Sequence, residues 1–406
     1  MDKFEESSDP TGYIVYTRIT DPSAVTYNGS EPDDGKDGFD NGTYVRGNGY
    51  SVLMNPGKIY SFKVTAVNEG GESFESEILS AGINRSNPSN IIMVLNNFTR
   101  VAAPASFATA DSSRAGFLDG VDAGVAYHRQ ISYVGPMTEF DRSQPWVDDD
   151  NPGFGSSSYE YEGAVFAGNS FDYPLIHGAA IMKAGYSFTS AAASAAGRLD
   201  LSSYPAVDII CGKQIRTVAG VVRDSSAAAL QQSLRYVVFT PELMSALRKY
   251  TAAGGNILIS GANIASDSHH FIYDIKTDPE YRRNVLEPEI AFAKDVLKYS
   301  YMNYDATASG LVKTVDNKLG IRRDSFYNIN TRPGKDVYCV EAADGLVPEK
   351  NASTICRYGD SNISAGVAYK GKDYRCVSLG FPIEALTSTR QCDHIISTML
   401  NFLLKD

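Results

Sequence analysis

The chain has 406 residues, of which 43% are hydrophobic, and its formal net charge is −11 at pH 7. This length predicts two or three domains with enough apolar material for a sizeable core. The acidic balance argues against a nucleic-acid partner, which needs clustered Lys and Arg, and the sequence has no run of about 18 apolar residues that could span a membrane.

The termini and the cysteines predict no targeting signal and no metal or other cofactor. The polar start, MDKFEESSDPTGY, is not a signal peptide. The cysteines lack CxxC spacing and paired histidines, so we expect buried thiols rather than a zinc site or a disulfide framework. The acidic run Asp148–Asp150 has two interpretations, a calcium ligand or a solvated turn, and it lacks the alternate ligand spacing of an EF-hand loop.

The first predicted elements are β-strands. Polar and apolar residues alternate in Tyr13–Arg18, in Tyr50–Met54 and most clearly in Tyr60–Ala66. The last of these is followed by Asn68–Gly71, whose residues tolerate the positive φ of a turn. The region therefore reads as an antiparallel β unit.

One block of this region, PGKIYSFKVTAVNEGGES at Pro56–Ser73, resembles the penultimate strand of a fibronectin type III module and the turn into its last strand. That family has two strands before the one that Gly12–Arg18 resembles, and the second carries the core Trp; the sole Trp here is Trp146. The resemblance implies a partial β-sandwich over residues 1–85. It also implies the C-terminal part of a longer multidomain protein, or a mis-started gene product. We expect the larger domain or another molecule to cover the edge that the missing strands leave.

From Asn90 onward the pattern becomes alternating strands and helices. The apolar runs Ile91–Leu95, Val207–Cys211 and Asn256–Ser260 are typical of parallel strands covered on both faces. A helix is predicted at Pro241–Tyr250, with Thr240 as its N-cap.

The last part of the chain predicts a hairpin of Ala365–Tyr369 with Tyr374–Leu379, followed by a helix at about Gln391–Leu404. Residues 102–169 have weak periodicity and are expected to form a long excursion with the acidic loop Asp148–Gly155 at its tip. Together these patterns predict a three-layer α/β/α domain over residues 86–406.

This layout resembles the flavodoxin-like class I glutamine-amidotransferase domains. Where that family has the Cys of its nucleophile elbow, this chain has Ser260-Gly-Ala-Asn263. Where the family has Phe-His-Pro-Glu, this chain has Phe381-Pro-Ile-Glu384, which keeps the Glu but not the His. The resemblance therefore implies a degenerate site without glutamine hydrolysis.

A closer resemblance is to secreted proteins, mostly from Bacteroidetes, that are often labelled xanthan lyase or N-acetylmuramoyl-L-alanine amidase. The segments that carry it are Gly153–Gly155, Gly168–Tyr173, His177–Gly178, Ala184–Phe188, Val207–Gln214, Gly254–Asp267 and Gly366–Glu384. It implies an extracytoplasmic location, a polysaccharide or peptidoglycan partner, and a non-catalytic binding or scaffolding role in the cell envelope or in glycan processing.

Ligands of an open parallel sheet sit at the carboxyl ends of its strands. We place a candidate pocket at residues taken from those ends: Asn97, Arg100, His177, Tyr186, Ser187, Lys213, Gln214, Ser260, Asn263 and Glu384. Helix N-termini following the strands favour an anionic or hydroxyl-rich ligand, and Arg100 and Lys213 would add positive charge.

Two alternatives stay open at the level of sequence. One is a carbohydrate-active hydrolase or lyase acting on uronate-containing polysaccharide or peptidoglycan, in which Tyr186 or His177 takes a proton while Arg100 or Lys213 neutralises a carboxylate. The other is a structural spacer, in which His177 satisfies a backbone partner at a strand start, Tyr186 packs in the core and Lys213 is solvated or ion-paired. The sequence alone does not decide whether the chain is an enzyme.

Overall fold

In the computed structural model the described residues are 9–25, 38–73, 75–99, 172–218, 234–269, 279–321, 325–332 and 337–405. The backbone of several short strands between residues 106 and 167 is also described: Ser106–Ala108, Arg114–Phe117, Ile131–Tyr133, Met137–Thr138, Phe140–Asp141, Ser157–Ser158 and Val165–Ala167. Most of the predicted excursion, with its acidic loop and Trp146, lies outside the described residues.

The first five strands are antiparallel and lie in the order β2-β1-β3-β5, with β4 paired to β3. They are β1 (Gly12–Thr20), β2 (Thr43–Val45), β3 (Ile59–Asn68), β4 (Gly71–Glu72) and β5 (Leu79–Gly82). The predicted strand at Tyr50–Met54 was wrong, because this segment pairs with no strand. Its Leu53 is 91% exposed, and the ring of Tyr50 packs edge-on against Phe62.

The short strands Thr217–Val218 and Leu234–Arg235 pair with each other. The main strands and helices of the remaining chain lie between residues 91 and 404. These are β6 (Ile91–Asn96), α1 (Tyr173–Lys183), β7 (Ser187–Ala192), β8 (Ala206–Gly212), α2 (Pro241–Ala252), β9 (Asn256–Gly261), α3 (Pro279–Tyr281), α4 (Glu287–Phe292), β10 (Tyr299–Asn303), β11 (Leu311–Thr314), β12 (Phe326–Asn328), β13 (Gly345–Pro348), β14 (Ala352–Tyr358), β15 (Ser364–Lys370), β16 (Arg375–Leu379) and α5 (Thr389–Leu404). Two π-helical turns, Arg282–Leu286 and Ala293–Leu297, follow α3 and α4. The three predicted parallel strands, the predicted hairpin β15–β16 and the last helix are confirmed.

A mixed sheet of fourteen described strands forms the centre of the molecule. Thirteen of them lie in the order β2-β1-β3-β5-β7-β6-β8-β9-β16-β15-β14-β11-β12, and the fourteenth, β4, pairs with β3. Strands β10 and β13 pair with each other separately. The five central strands, β7-β6-β8-β9-β16, are parallel, and the strands on both flanks are antiparallel. The protein is therefore a mixed α/β structure, as predicted, with more strand than a purely parallel core would give.

Helices cover both faces of the parallel strands. Helices α1 and α5 pack on one face, and α2 and α4 pack on the other, so each face has its own apolar core. All seven residues of β8 are buried. The predicted N-cap of α2 is confirmed, since the Thr240 hydroxyl accepts a hydrogen bond from the Leu243 amide at 3.3 Å.

The N-terminal strands continue directly into this sheet. Strand β5 pairs antiparallel with β7, which places Gly82 opposite Phe188. A buried ion pair of 2.5 Å joins Arg18 of β1 to Asp172, the residue that precedes α1. The boundary predicted near residue 85 thus falls between segments of one continuous sheet; whether the two parts are independent domains stays a prediction.

Candidate functional site

The candidate site lies where β6 and β8 end side by side. The chain leaves β6 toward β7 and leaves β8 toward β9, on opposite sides, and such a change of direction opens a crevice at the carboxyl ends of the strands. Gln214, just after β8, accepts a hydrogen bond from the Thr99 amide at 3.1 Å. Asn97 donates to the Val238 carbonyl at 2.8 Å. The two strand ends are therefore tied to each other and to the chain that leads into α2.

A buried cluster of four polar side chains lies beside this crevice. Nδ1 of His177 lies 2.7 Å from Oδ2 of Asp208, and Nε2 lies 3.3 Å from Oε2 of Glu384. The hydroxyl of Tyr338 donates to Oε1 of Glu384 at 3.0 Å. Helix α1, strand β8 and the turn after β16 each supply one member, so the cluster links the helical layer to the sheet.

The electrostatics of this cluster fix the protonation state of His177. Its side chain is fully buried, and burial by itself lowers the pKa of an imidazole. The carboxylates of Asp208 and Glu384 outweigh this effect and raise the pKa of His177 to about 10. The ring is thus an imidazolium at neutral pH that donates from both nitrogens, and it has no lone pair with which to act as a general base.

The Ser at the predicted elbow position is not activated. Ser260 is fully buried in β9, and among the described residues its hydroxyl has no hydrogen-bond partner. Oδ1 of Asp208 is also without a described partner. Ile210 pairs with Ser260, and Asp208 lies two residues before Ile210 on the same strand. The side chains of Asp208 and Ser260 therefore lie on the same face of neighbouring strands, as diagonal neighbours. No described base orients the Ser260 hydroxyl.

Aromatic rings fill the crevice itself. The ring centroids of Phe98, Tyr173 and Tyr338 lie 5.4–5.5 Å apart, and the Phe98–Tyr173 pair is stacked. Gly212 makes room for this packing, because its φ is +48° and a Cβ there would lie 2.0 Å from the Phe98 ring. Phe381 is fully buried in the same apolar core as these three rings.

The cation of the candidate site is already paired. Lys213 Nζ lies 2.6 Å from a carboxylate oxygen of Glu341 and donates to the Cys339 carbonyl at 3.0 Å. It also lies 6.0 Å from the centre of the Tyr338 ring. A ligand anion at Lys213 would therefore compete with Glu341.

A second buried cluster of charged side chains lies beyond the end of β9, on the face of the sheet opposite to α1 and α5. Arg216 pairs with Asp267 at 3.0 Å and with Glu289, and it also donates to the hydroxyl of Tyr281. Burial and the charge of Asp267 raise the pKa of Glu289 to about 7, although Arg216 opposes them. The cluster fastens the turn after β9 to α4.

Two predicted pocket residues lie at the amino ends of the parallel strands, opposite the candidate site. Helix α1 ends at Lys183 and β7 begins at Ser187, so Tyr186 and Ser187 stand at the amino end of a strand that was predicted to finish there. His177 is inside α1, not at a strand start. Tyr186 and Lys213, which one lyase mechanism would need side by side, thus lie at opposite ends of the parallel strands.

The other predicted residues are distributed as follows. Asn97, Lys213, Gln214, Ser260, Asn263 and Glu384 all lie at or just beyond the carboxyl ends of the parallel strands, and all are buried. Asn263 accepts a hydrogen bond from the Ser266 hydroxyl at 3.4 Å, on the turn that carries the second cluster. Arg100 lies outside the described residues.

Sequence reasoning missed Asp208 and Tyr338. Asp208 had a signal, since it is the one charged residue in the apolar run Val207–Cys211, and a carboxylate in a strand covered on both faces needs a partner. Tyr338 had none, because it follows no periodic element and reaches Glu384 only through the tertiary fold.

The described thiols are unreactive by their surroundings. Four of the five cysteines are buried, as expected, and all five are unpaired with one another. Burial raises the pKa of Cys211 to about 12. Within the part of the chain that is described, no three His, Cys, Asp or Glu side chains are arranged to hold a metal ion, and none of the helices has the length and apolar character needed to cross a bilayer.

No protein-family model matches the sequence, and no curated protein does. Among solved structures, Exo-beta-1,4-mannosidase Op5Man5 from Opitutaceae bacterium strain TAV5 is similar at 11% identity with a TM-score of 0.33, over 57% of this chain and 31% of that one. Cytoplasmic Protein STM3548 from Salmonella typhimurium is 10% identical with a TM-score of 0.36, over 77% and 98%. The mmIFT52 N-terminal domain is 13% identical with a TM-score of 0.32, over 55% and 87%. Likenesses this distant carry no argument about function.

Proposed function

We propose that this chain is a non-catalytic binding or scaffolding module built on a degenerate amidotransferase-like site. The observation that carries the proposal is the pairing of His177. Both of its ring nitrogens face carboxylates, at 2.7 and 3.3 Å, in a fully buried position. A histidine held in this way links elements together and is not available to move a proton for a substrate.

The neighbouring groups support the same conclusion. Ser260 at the elbow position has no described partner that could activate it, and the Cys211 thiol has a pKa of about 12, far above the range of nucleophilic thiols. Lys213 is neutralised by Glu341. The side chains that could act as a base, a nucleophile or an anion-binding group are therefore buried or paired within the protein.

The family part of the proposal is supported by topology. Numbered along the chain, the five parallel strands lie in the order 2-1-3-4-5, which is the flavodoxin-like order. The antiparallel strands β2-β1-β3-β5 are arranged like one sheet of a fibronectin type III sandwich, and in the described residues the second sheet is missing. The extracytoplasmic setting and the glycan partner rest on the sequence resemblance alone.

The test is a search for turnover with a matched variant. The chain is incubated with glutamine, with a polyuronate and with peptidoglycan fragments, and products are followed by ammonia release and mass spectrometry. We expect no product above the level seen with heat-denatured protein. A product that the chain forms and that His177→Asn, still folded, no longer forms would overturn the proposal.

A further inference from the structure

A groove of about 490 Å³ lies near the amino ends of the parallel strands, away from the candidate site. One wall is a face of α5, the other is the β15–β16 turn, and the loop at Leu319–Ile321 closes the end. This volume is in the range of sites that hold small molecules.

The charged residues that line the groove are basic, whereas the protein as a whole is acidic. Lys370 and Arg375 stand opposite each other in the hairpin register, and Lys405 follows the end of α5. Of the described residues that line the groove, none is acidic. In a chain of net charge −11, Lys370 and Lys405, with no acidic residue in the described lining, give the groove a local positive charge that attracts anions.

Arg375 adds little to this charge, because it is engaged within the protein. Arg375 donates to the Phe402 carbonyl at 2.6 Å, so it offsets the negative end of α5. The one acidic residue of α5, Asp393, is paired with Lys183 at 2.9 Å. In the part of the chain that is described, the ammonium groups of Lys370 and Lys405 have no ion-pair partner.

The helix wall adds neutral hydrogen-bonding groups. His394, Ser397, Thr398 and Asn401 are linked by spacings of three or four residues along the helix, which places them on one face, and Lys405 follows the helix end. Ser397 and Asn401 offer a hydroxyl and an amide beside the cations. Hydroxyl and amide groups next to a cation suit a ligand that carries both an anionic group and hydroxyls.

We propose that this groove binds a hydroxyl-bearing organic anion of the size of an acidic mono- or disaccharide. Its carboxylate or phosphate lies between Lys370 and Lys405, and its hydroxyls bind Ser397 and Asn401. The groove is separate from the His177 cluster, so this inference does not depend on the proposed loss of catalysis.

The test is calorimetric titration of the full chain with four probes. Digalacturonic acid and glucose 6-phosphate supply the carboxylate and the phosphate, cellobiose is the neutral sugar, and inorganic phosphate is the anion without a sugar. We expect at least one sugar anion to bind, more weakly as salt is added, and cellobiose not to bind. Failure of both sugar anions to bind at about millimolar concentration, or inorganic phosphate binding as tightly as they do, would overturn the inference.

Variants locate the site. Lys370→Gln with Lys405→Gln is expected to lower the affinity at least about tenfold, the loss that follows removal of charge-assisted hydrogen bonds. Lys372→Gln, on the same turn but outside the groove lining, is the matched control and should bind like the parent. Lys213→Gln should also bind like the parent. If Lys213→Gln alone abolishes binding, the ligand occupies the candidate site and the groove is not used.

Discussion

Nδ1 of His177 and Oδ2 of Asp208 lie 2.7 Å apart, and this contact joins the helix α1 to the most deeply buried strand of the sheet. Neither side chain reaches solvent. With Glu384 on the other side of the ring, the imidazolium neutralises buried negative charge that would otherwise be strongly unfavourable. The cluster is thus a stabilising element that ties helix α1 to the parallel sheet.

Removing His177 should be costly. His177→Asn leaves the carboxylates of Asp208 and Glu384 buried without a cation, so we expect a loss of about 3–5 kcal/mol in the free energy of unfolding. Urea denaturation measures it. The control is Lys183→Ala on the same helix, whose ion pair with Asp393 is about 30% exposed at both ends and should contribute less than about 1 kcal/mol. Equal losses in the two variants would contradict the role given to the cluster.

The same cluster predicts a pH dependence. The folded pKa of His177, about 10, exceeds the value of about 6.5 expected in the unfolded chain. Its stabilisation is therefore fully present below about pH 6.5 and is lost as the pH rises toward 10. The difference in unfolding free energy between the parent and His177→Asn should shrink between about pH 6.5 and about pH 9. A difference that stays constant would show that the ring is not protonated.

The parallel core could be predicted from sequence because each of its strands is a continuous apolar run, and Ile91–Leu95 and Val207–Cys211 differ from the observed strands by one residue at most at each end. The strand predicted at Tyr50–Met54 failed because alternation alone does not supply a pairing partner. The position of Tyr186 was misjudged because α1 has no polar face: ten of its eleven residues are buried, which hides the helical period.

The candidate site was predictable only in its location. The order of the strands brings Asn97, Lys213 and Glu384 to one edge, as expected for a parallel sheet. Which groups pair there depends on side-chain distances that the sequence does not contain, such as that between Lys213 and Glu341. The sequence therefore left open whether Lys213 is ion-paired, and the structure pairs it with Glu341.

Thiol chemistry should be absent from the folded chain. Burial raises the pKa of Cys211 to about 12, so it is protonated at neutral pH and shielded from reagents. Iodoacetamide at neutral pH should leave Cys211 unmodified in the native protein, as seen by peptide mass spectrometry, and should modify it in denaturant. Rapid native modification of Cys211 would show that the edge of the sheet opens.

The two parts of the chain should unfold together. Because β5 pairs with β7 and Arg18 pairs with Asp172, we expect a single thermal transition. Arg18→Met should lower stability by about 3–5 kcal/mol, since it breaks a buried ion pair by removing one member. Lys58→Met, just before β3, is the control; its pair with Asp21 is about 40% exposed and should contribute little. Two separate transitions would instead support independent domains on either side of residue 85.

Gly212→Ala should disturb the crevice specifically. The backbone there has φ +48°, and the added methyl would meet the ring of Phe98, so positive-φ strain and overpacking both apply, for a loss of about 2–4 kcal/mol. The displaced ring should also weaken the near-ultraviolet circular dichroism of its stack with Tyr173. Gly185→Ala isolates the strain, since φ is +96° there and a Cβ would meet no atom within 4 Å. It should cost about 1 kcal/mol or somewhat more and leave the aromatic signal intact. If both variants lost the same stability with unchanged spectra, the aromatic packing at the strand ends would not be the feature that Gly212 protects.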